Sequence, residues 1–396
     1  MKKVLLLVIL IGIFFFWYSS NSYTTEPVVN HISETVDAYI VPEEKCYHYS
    51  QLSESGKSVY NELLRQVPGG VTEFSIKNVP EEAMQGENFD KIVSAFYKDH
   101  PEFFWLCEGY SWTYHNFFRR MDLTMHVNEF WNDKLDKNKA VDKFFKKADK
   151  IIAQAEKIED TYEQIKFVYD YLIDNITYDY KAAEENDKDE KSVEVSYANS
   201  GYGAIVNGLC VCEGYAKAFQ FIMQNLGYEC ILVAGKGVDG LHAWNMAKID
   251  DDYYHFDATW DDMGDEVDDD GKLIYTDGNS HEYFAVTSEE FAREHKSYGF
   301  KYPLGTATEY NYFYREGYIV EEYSESAIKA VLKKQFDEGM SEISIKFADQ
   351  KTMHKAEKYI SDELERLIYS HKYYRYYKSY YTYENDKMYV ITYNFV

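Results

Sequence analysis

Hydrophobic and polar residues follow one another along this chain in patterns that divide it into three successive groups of helices and strands. Residues 50–135 and residues 301–396 show the same order, in which a helix and a strand precede a second helix and two further strands. We therefore expect a small α-β module on each side of a central region at 136–300. The predicted elements of the two modules are helices at 56–66, 88–99, 324–339 and 351–367, and strands at 72–79, 103–116, 122–130, 341–348, 372–382 and 387–395.

The central region opens with two predicted helices. A charged amphipathic helix is expected at 138–158, where it links the first module to the centre. Asp160 and Glu163 then have the spacing of a capping box, in which two side chains satisfy N–H groups at a helix start. Apolar residues at helical spacing follow, so a second helix is predicted from residue 161.

A helix, a strand and a hairpin follow in the second half of the centre. The helix is expected from Cys212 to a stop at Gly227, and residues 230–234 are predicted to form a buried strand. Residues 242–249 and 252–260 predict two antiparallel strands joined by a two-residue turn.

That hairpin makes a geometric prediction. With a two-residue turn, His242 faces Thr259, and Asp257 is its diagonal neighbour on the same face of the sheet, at a Cα separation of about 7–8 Å. A shift of one residue in the pairing would place Asp257 on the opposite face. The predicted pairing therefore brings the two side chains within reach of each other.

The N-terminus has the layout of an export signal. Two lysines precede an apolar run at 4–18, and this run is short for a membrane span of about 20 residues. Residues 1–22 are therefore expected to be a signal peptide or a membrane anchor, and both alternatives stay open. Residues 23–49 are polar and contain prolines, so they are expected to be a tether.

Composition excludes some classes of function. The 396 residues carry a formal net charge of −26, which argues against nucleic acid as a partner, because phosphate binding needs a concentrated basic face. Five cysteines are too few for a disulfide scaffold. Cys210 and Cys212 have no second cysteine or histidine cluster at zinc spacing, so no metal is expected there.

Three residues point to a specific chemistry. Cys212 lies in the first turn of its predicted helix, where unpaired N–H groups and the helix dipole favour a thiolate. His242 and Asp257 follow in the order expected for a base and the group that orients it. Gly208 and Gly214 are expected to let the backbone approach a substrate closely. Each residue alone has a structural interpretation as a buried thiol, a satisfied histidine or a turn cap, and His255 is a competing base.

The segments around these residues resemble the transglutaminase-like superfamily in its bacterial secreted branch. YGAIVNGLCVCEGYAKAFQFIMQNLGY and HAWNMAKIDDDYYHFDATWDD are similar to its nucleophile helix and its histidine-aspartate hairpin, and SHEYFAVTSEEF at 280–291 is similar to its closing segment. The resemblance implies an α+β fold, with a papain-like core whose nucleophile helix packs on an antiparallel sheet. It also implies that Cys212 is the nucleophile, His242 the general base and acid, and Asp257 the orienting residue.

Further site residues stay open in the sequence. Asn207, Tyr202 and Trp244 are candidates for contacts to the substrate or to an oxyanion. Residues 261–278 partly fit a calcium-binding loop. The motif begins with aspartate and ends with glutamate, whereas this segment begins with glutamate and ends with aspartate. A solvated acidic hairpin tip explains these residues as well. The candidate calcium ligands are Glu266, Asp268, Asp270 and Asp277.

The sequence is compatible with two functions. The first is a secreted or membrane-anchored thiol enzyme that acts on protein or peptide amides through a thioester, with hydrolysis favoured over transfer to an amine. It needs no cofactor, and it contacts a membrane only through the N-terminal segment. The alternative is a non-catalytic scaffold of the same fold that binds the cell envelope, and the cell wall is a candidate partner in either case.

Overall fold

The structure is a computed structural model that describes residues 26–132, 136–187, 197–238, 240–262, 266–267, 273–275, 280–340, 342–370 and 380–395. The chain divides into two compact units, Met1–Lys147 and Ala148–Val396. The predicted signal or anchor at 1–22 lies outside the described residues. Within the described ranges, no helix combines the length and the apolar character that crossing a membrane requires.

The first unit combines helices with a three-stranded antiparallel sheet of order β1-β3-β2. Its helices are α1 (Glu26–Val36), α2 (Glu54–Gln66), α3 (Gly86–Asp99), α4 (Glu129–Asn132) and α5 (Lys137–Ala155), the last of which contains the division between the units. Its strands are β1 (Glu73–Lys77), β2 (Leu106–His115) and β3 (Arg120–Val127). Short 3-10 turns lie at Glu43–Lys45, Tyr49–Gln51, Val67–Gly69, Glu82–Met84 and Asn116–Phe118.

Helix α1 corrects the expectation of a tether at 23–49. Ile32 and Val36 lie four residues apart, on one face of the helix, and both are fully buried. Pro27 lies in the first turn, where its missing N–H costs no intrahelical hydrogen bond. Pro27 is therefore compatible with the start of a helix and does not indicate an irregular segment.

The second unit holds the remaining elements. Its helices are α6 (Thr161–Asn175), α7 (Tyr180–Asp187), α8 (Cys212–Asn225), α9 (Ala258–Asp261), α10 (Ser288–Phe291), α11 (Tyr312–Arg315), α12 (Glu325–Glu338) and α13 (Gln350–Ser370), with a π-helical turn at Gly203–Asn207. Its strands are β4 (Thr177–Tyr178), β5 (Leu209–Cys210), β6 (Glu229–Gly237), β7 (Gly240–Ile249), β8 (Asp252–Phe256), β9 (Glu266–Val267), β10 (Leu273–Tyr275), β11 (Phe284–Val286), β12 (Lys296–Ser297), β13 (Ile319–Val320), β14 (Glu342–Phe347), β15 (Tyr380–Asn385) and β16 (Val390–Phe395).

The central sheet of this unit is antiparallel and has the order β11-β8-β7-β6-β12. Helix α8 packs on one face of it. The side-chain amide of Asn245 in β7 donates to the carbonyl of Ala216 in α8 at 2.9 Å, and the rings of Phe219 and Phe256 are 5.2 Å apart. The predicted α+β class, with the nucleophile helix on an antiparallel sheet, is confirmed.

Residues 301–396 belong to the same compact unit as the centre, whereas the sequence separates them at residue 300. Buried polar contacts account for the difference. Asn385 donates to Glu282 at 2.8 Å, and the Lys346 ammonium lies 2.9 Å from Glu290. The C-terminal sheet, of order β13-β14-β16-β15, is therefore joined to the centre by contacts that local sequence patterns do not reveal.

The predicted register of the hairpin is confirmed, but its second strand is shorter than predicted. Ile249 pairs with Asp252 and Asn245 pairs with Phe256. Strand β8 then ends, because the Asp257 side chain accepts hydrogen bonds from the next backbone N–H groups and caps α9. Thr259 therefore lies in a helix and does not pair with His242.

The cap of α6 gives a test of the fold. Asp160 accepts a hydrogen bond from the Glu163 N–H at 3.0 Å and makes an exposed ion pair with Arg315 at 3.3 Å. Asp160→Ala removes both contacts, whereas Asp160→Asn removes the ion pair and keeps an acceptor for the cap. We expect Asp160→Ala to lower the free energy of unfolding by about 0.5–2 kcal/mol more than Asp160→Asn does in urea denaturation. Equal losses would mean that the cap contributes nothing.

Candidate active site

Cys212 is the first residue of α8 and is half-buried. Val211 precedes it as the N-cap and offers no side-chain hydrogen bond to the first turn. The N–H groups of that turn and the helix dipole therefore favour a negative charge at this position. The Cys212 side chain packs on a buried cluster that joins the helix to β6 and β7, namely Ala216, Leu232 and Ala243.

The chain around Cys212 is closely packed. Gly208 follows the π-helical turn with a φ of 68°, in the left-handed region that favours glycine. A Cβ at Gly214 would lie 2.5 Å from the Cβ of Cys210 and 2.7 Å from the carbonyl oxygen of Ala198. The protein itself occupies the space at Gly214, and this corrects the expectation that this glycine gives room to a substrate.

His242 and Asp257 are in direct contact. The Nε2 of His242 lies 2.7 Å from Oδ2 of Asp257. Burial disfavours the imidazolium, but the Asp257 carboxylate with its hydrogen bond, together with the neighbouring Cys212 side chain, outweighs burial and raises the pKa of His242 to about 10. The structure therefore brings together the three residues expected to carry the chemistry.

The end of β8 explains how these residues meet. Ala243 and Asn245 point toward α8, so strand alternation places His242 on the other face of β7. Strand β8 covers the edge of β7 only as far as Asn245. Beyond that point the edge carries no strand partner from β8, and Asp257 turns into this space to meet the imidazole.

Asp257 is buried and accepts four hydrogen bonds. Its Oδ1 accepts from the N–H groups of Thr259 and Trp260 at 3.1 and 3.3 Å. Its Oδ2 lies 2.7 Å from His242 and 3.0 Å from the Nε2 of His295. Burial by itself would raise the pKa of Asp257, but the two histidines hold it below its usual range.

His295 is a site residue that sequence reasoning missed. It lies four residues after Phe291, at the end of the closing segment 280–291, and its ring stacks on Phe291 with centroids 3.8 Å apart. The only signal in the sequence was its place just beyond a segment already singled out. Nothing in the local pattern indicated a contact with Asp257, which is 38 residues away in the chain.

His255, the competing base, is occupied elsewhere. Its Nδ1 accepts a hydrogen bond from the indole of Trp244 at 3.2 Å, and its Nε2 lies 3.0 Å from the hydroxyl of Ser288. Burial and the nearby His295 lower the pKa of His255 to about 3. The residue is therefore a neutral, structural histidine.

The three candidates for substrate or oxyanion contacts are placed differently. Trp244 is 2% exposed and donates to His255, so it forms part of the core rather than a substrate surface. Tyr202 is buried, and its ring centroid lies 5.5 Å from that of Tyr197. Asn207 ends the π-helical turn and is exposed, so it remains the candidate whose side chain can meet a substrate.

Among the described residues, one group has the spacing of metal ligands. The ligand atoms of His242, Asp257 and His295 lie within 4.8 Å of one another. The Nε2 atoms of both histidines already lie at hydrogen-bond distance from Oδ2 of Asp257, and a metal ion between them would replace both hydrogen bonds. Of the candidate calcium ligands, Asp268, Asp270 and Asp277 lie outside the described residues, as does the side chain of Glu266.

The other cysteines differ from Cys212. All five, which lie within the described ranges, are free thiols. Burial raises the pKa of Cys46, Cys210 and Cys230. Cys107 is half-buried like Cys212, so it is the natural reference for reactivity.

Residues 149–258 match the family model of the transglutaminase-like superfamily. The resemblance seen in the sequence is confirmed over this range. The match begins one residue into the second compact unit and ends just after Asp257, so it includes Cys212, His242 and Asp257 but not His295. No curated protein is similar to this chain.

Two solved structures are weakly similar to the chain. One is a crystal structure of a TGase, which is 17% identical, covers 41% of this chain and 46% of that chain, and has a TM-score of 0.30. The other is described as a "Putative Cysteine Protease from Cytophaga hutchinsonii", which is 15% identical, covers 50% of this chain and 78% of that chain, and has a TM-score of 0.23. The chain thus aligns with less than half of the TGase chain, and at these TM-scores neither structure carries an argument.

The charge on His242 makes stability depend on pH. Its pKa rises on folding, so its contribution to stability is complete below about pH 6.5 and is lost as the pH rises through about 10. We expect the difference in free energy of unfolding between the wild type and His242→Gln to be largest below pH 6.5 and to shrink across this window. Urea denaturation at pH 6, 8 and 10 measures it.

His354 provides the control for that experiment. It is exposed and lies 2.9 Å from Asp386, so solvent screens its ion pair. His354→Gln should change the pH dependence of stability much less than His242→Gln does. Curves for His242→Gln that run parallel to the wild type would contradict a buried imidazolium at 242.

Proposed function

We propose that this protein is a thiol enzyme that cleaves amide bonds of proteins or peptides through a thioester on Cys212. One observation carries the proposal: His242 lies 2.7 Å from the buried Asp257, and its charge is coupled to that of Cys212 at the N-terminus of a helix. A nucleophile, a base and an orienting carboxylate in contact are what acyl transfer through a covalent intermediate requires.

In the first half of the reaction, the Cys212 thiolate attacks the carbonyl carbon of the amide. The new C–S bond pushes the carbonyl electron pair onto oxygen, and we assign the stabilisation of this oxyanion to N–H groups of the first turn of α8. Collapse of the intermediate breaks the C–N bond. The His242 imidazolium gives its proton to the leaving amine, and the acyl group remains on sulfur as a thioester.

In the second half, neutral His242 takes a proton from a water molecule, and the water oxygen attacks the thioester carbonyl. The C–S bond breaks, the carboxylic acid product leaves, and the thiolate and imidazolium are restored. A primary amine in place of water would give a new amide and thus transfer. We favour hydrolysis, since Cys212 is half-buried rather than sealed from solvent, where water competes with any amine.

We further propose that the enzyme acts outside the cytoplasm. The two lysines and the apolar run at 4–18 support export, with the N-terminal segment as the only membrane contact. The net charge of −26 supports protein or peptide substrates over nucleic acid. Proteins of the cell envelope, including those attached to the cell wall, are the substrates that such a location offers.

Selective alkylation tests the nucleophile. Iodoacetamide at pH 7 should label Cys212 at least about tenfold faster than Cys107, because only Cys212 combines a helix N-terminus with an imidazolium partner. Peptide mapping of the full chain at short times measures both rates. Cys107→Ala should leave the rate at Cys212 unchanged, whereas equal rates at the two thiols would count against a thiolate nucleophile.

Turnover on a peptide-amide library tests the reaction itself. The full chain should release amine from at least one member, and Cys212→Ala should lose all turnover while Cys107→Ala keeps it. Mass spectrometry of the products with and without an added primary amine separates hydrolysis from transfer. If the wild type turns over no member and binds cell-wall material as well as Cys212→Ala does, the protein is a scaffold and not an enzyme.

A further inference from the structure

His295 contacts the same carboxylate of the site as His242 does. Its Nε2 lies 3.0 Å from Oδ2 of Asp257, the same oxygen that lies 2.7 Å from Nε2 of His242. The side chains of His295 and Asp257 are 0% and 1% exposed. The shared oxygen is therefore the midpoint of a chain of groups that runs from Cys212 through His242 and Asp257 to His295.

The surroundings of His295 fix its ring in one orientation. The ring centroid lies 3.8 Å from that of Phe291 and 4.1 Å from that of Trp260, and the rings of Trp244 and Tyr283 lie 5.1 and 5.7 Å away. Its Nδ1 is buried and has no hydrogen-bond partner among the described residues. The hydrogen bond to Asp257 is thus the one polar contact that this buried imidazole makes there.

A purely structural role explains this arrangement poorly. A phenylalanine would fill an aromatic pocket of this kind without leaving a buried nitrogen unpaired, which is unfavourable. A metal site explains it no better, because both imidazoles approach one carboxylate oxygen at hydrogen-bond distance. What the histidine adds is an N–H donor aimed at Asp257.

We propose that His295 is a positioning residue that acts on the reaction through Asp257. The inference rests on the function proposed above. By donating to Oδ2, His295 fixes the rotation of the carboxylate and withdraws part of its negative charge. Asp257 then still orients His242, but it stabilises the His242 imidazolium less. The imidazolium can therefore give its proton to the leaving amine.

Two substitutions separate the donor from the shape of the ring. His295→Phe keeps the aromatic packing and removes the donor, whereas His295→Gln places an amide N–H close to the position of Nε2. We expect His295→Phe to lower kcat by roughly 10–100-fold with KM changed less than about twofold, and His295→Gln to stay within about threefold of the wild type.

The pH dependence of the reaction provides a readout that a change in packing alone would not shift. Without the donor, Asp257 carries more charge and raises the pKa of His242. Activity falls at high pH as His242 loses the proton that the leaving amine needs, so this alkaline limb of kcat/KM should move to higher pH in His295→Phe and stay in place in His295→Gln. The titratable groups that face His295 are His242 from β7, His255 from β8, Asp257 before α9, Tyr283 before β11, and its neighbours Glu294 and Lys296.

Phe291→Leu is the matched control for packing. It loosens the stack on His295 and leaves the donor in place, so kcat can fall slightly but the alkaline limb should not move. If His295→Phe does not fold, His295→Asn takes its place, because the shorter amide does not reach Asp257. We expect His295→Asn to show the same loss of kcat and the same shift of the alkaline limb as His295→Phe.

The outcomes distinguish this inference from the proposed function. Wild-type activity and an unchanged limb in His295→Phe would overturn the role of His295 and leave the thiol enzyme intact. A shift of the limb that also occurs in Phe291→Leu would overturn it as well, since packing alone would then be responsible. A wild type without turnover on any amide would overturn the proposed function, while NMR titration of the His242 imidazole in the wild type and in His295→Phe would still decide whether His295 acts on His242 through Asp257.

Discussion

The carboxylate of Asp257 is a charge with almost no exposure to solvent, and the geometry of the site follows from how that charge is compensated. A buried carboxylate is costly unless hydrogen bonds and opposite charges surround it. Here two backbone N–H groups satisfy one oxygen and two imidazoles satisfy the other. Because the backbone donors belong to the helix that Asp257 itself caps, the same side chain ends strand β8 and fixes His242.

This double use of one side chain links the fold to the chemistry. Strand β8 pairs with β7 only as far as Phe256, opposite Asn245, so Asp257 is not held in the strand and its side chain meets His242. Ending the strand opens that edge, and capping α9 prevents the freed N–H groups from being left unpaired. Cys212 is positioned separately, by a helix that packs on the sheet through Asn245 and Phe256. The site therefore depends on two contacts with the same sheet rather than on a flexible loop.

The histidines around this carboxylate illustrate how environment assigns roles to identical side chains. His242 contacts a carboxylate and a thiol, and its pKa is raised. His255, on the same strand face, accepts from an indole in apolar surroundings, and its pKa is lowered. His295 has Asp257 as its hydrogen-bond partner within the described part of the chain, and aromatic rings enclose it. The difference lies in the partners that the fold supplies, since the three residue types are the same.

The sequence by itself determined the local elements and their order. The capping box at Asp160, the helix that begins at Cys212 and the register of the hairpin were all predictable, because each depends on residues close together in the chain. The tertiary structure alone decided where β8 ends, that α1 is buried rather than part of a tether, that Trp244 belongs to the core, and that His295 reaches Asp257. These features depend on burial and on contacts between residues distant in sequence, and local patterns of polar and apolar residues carry no information about them.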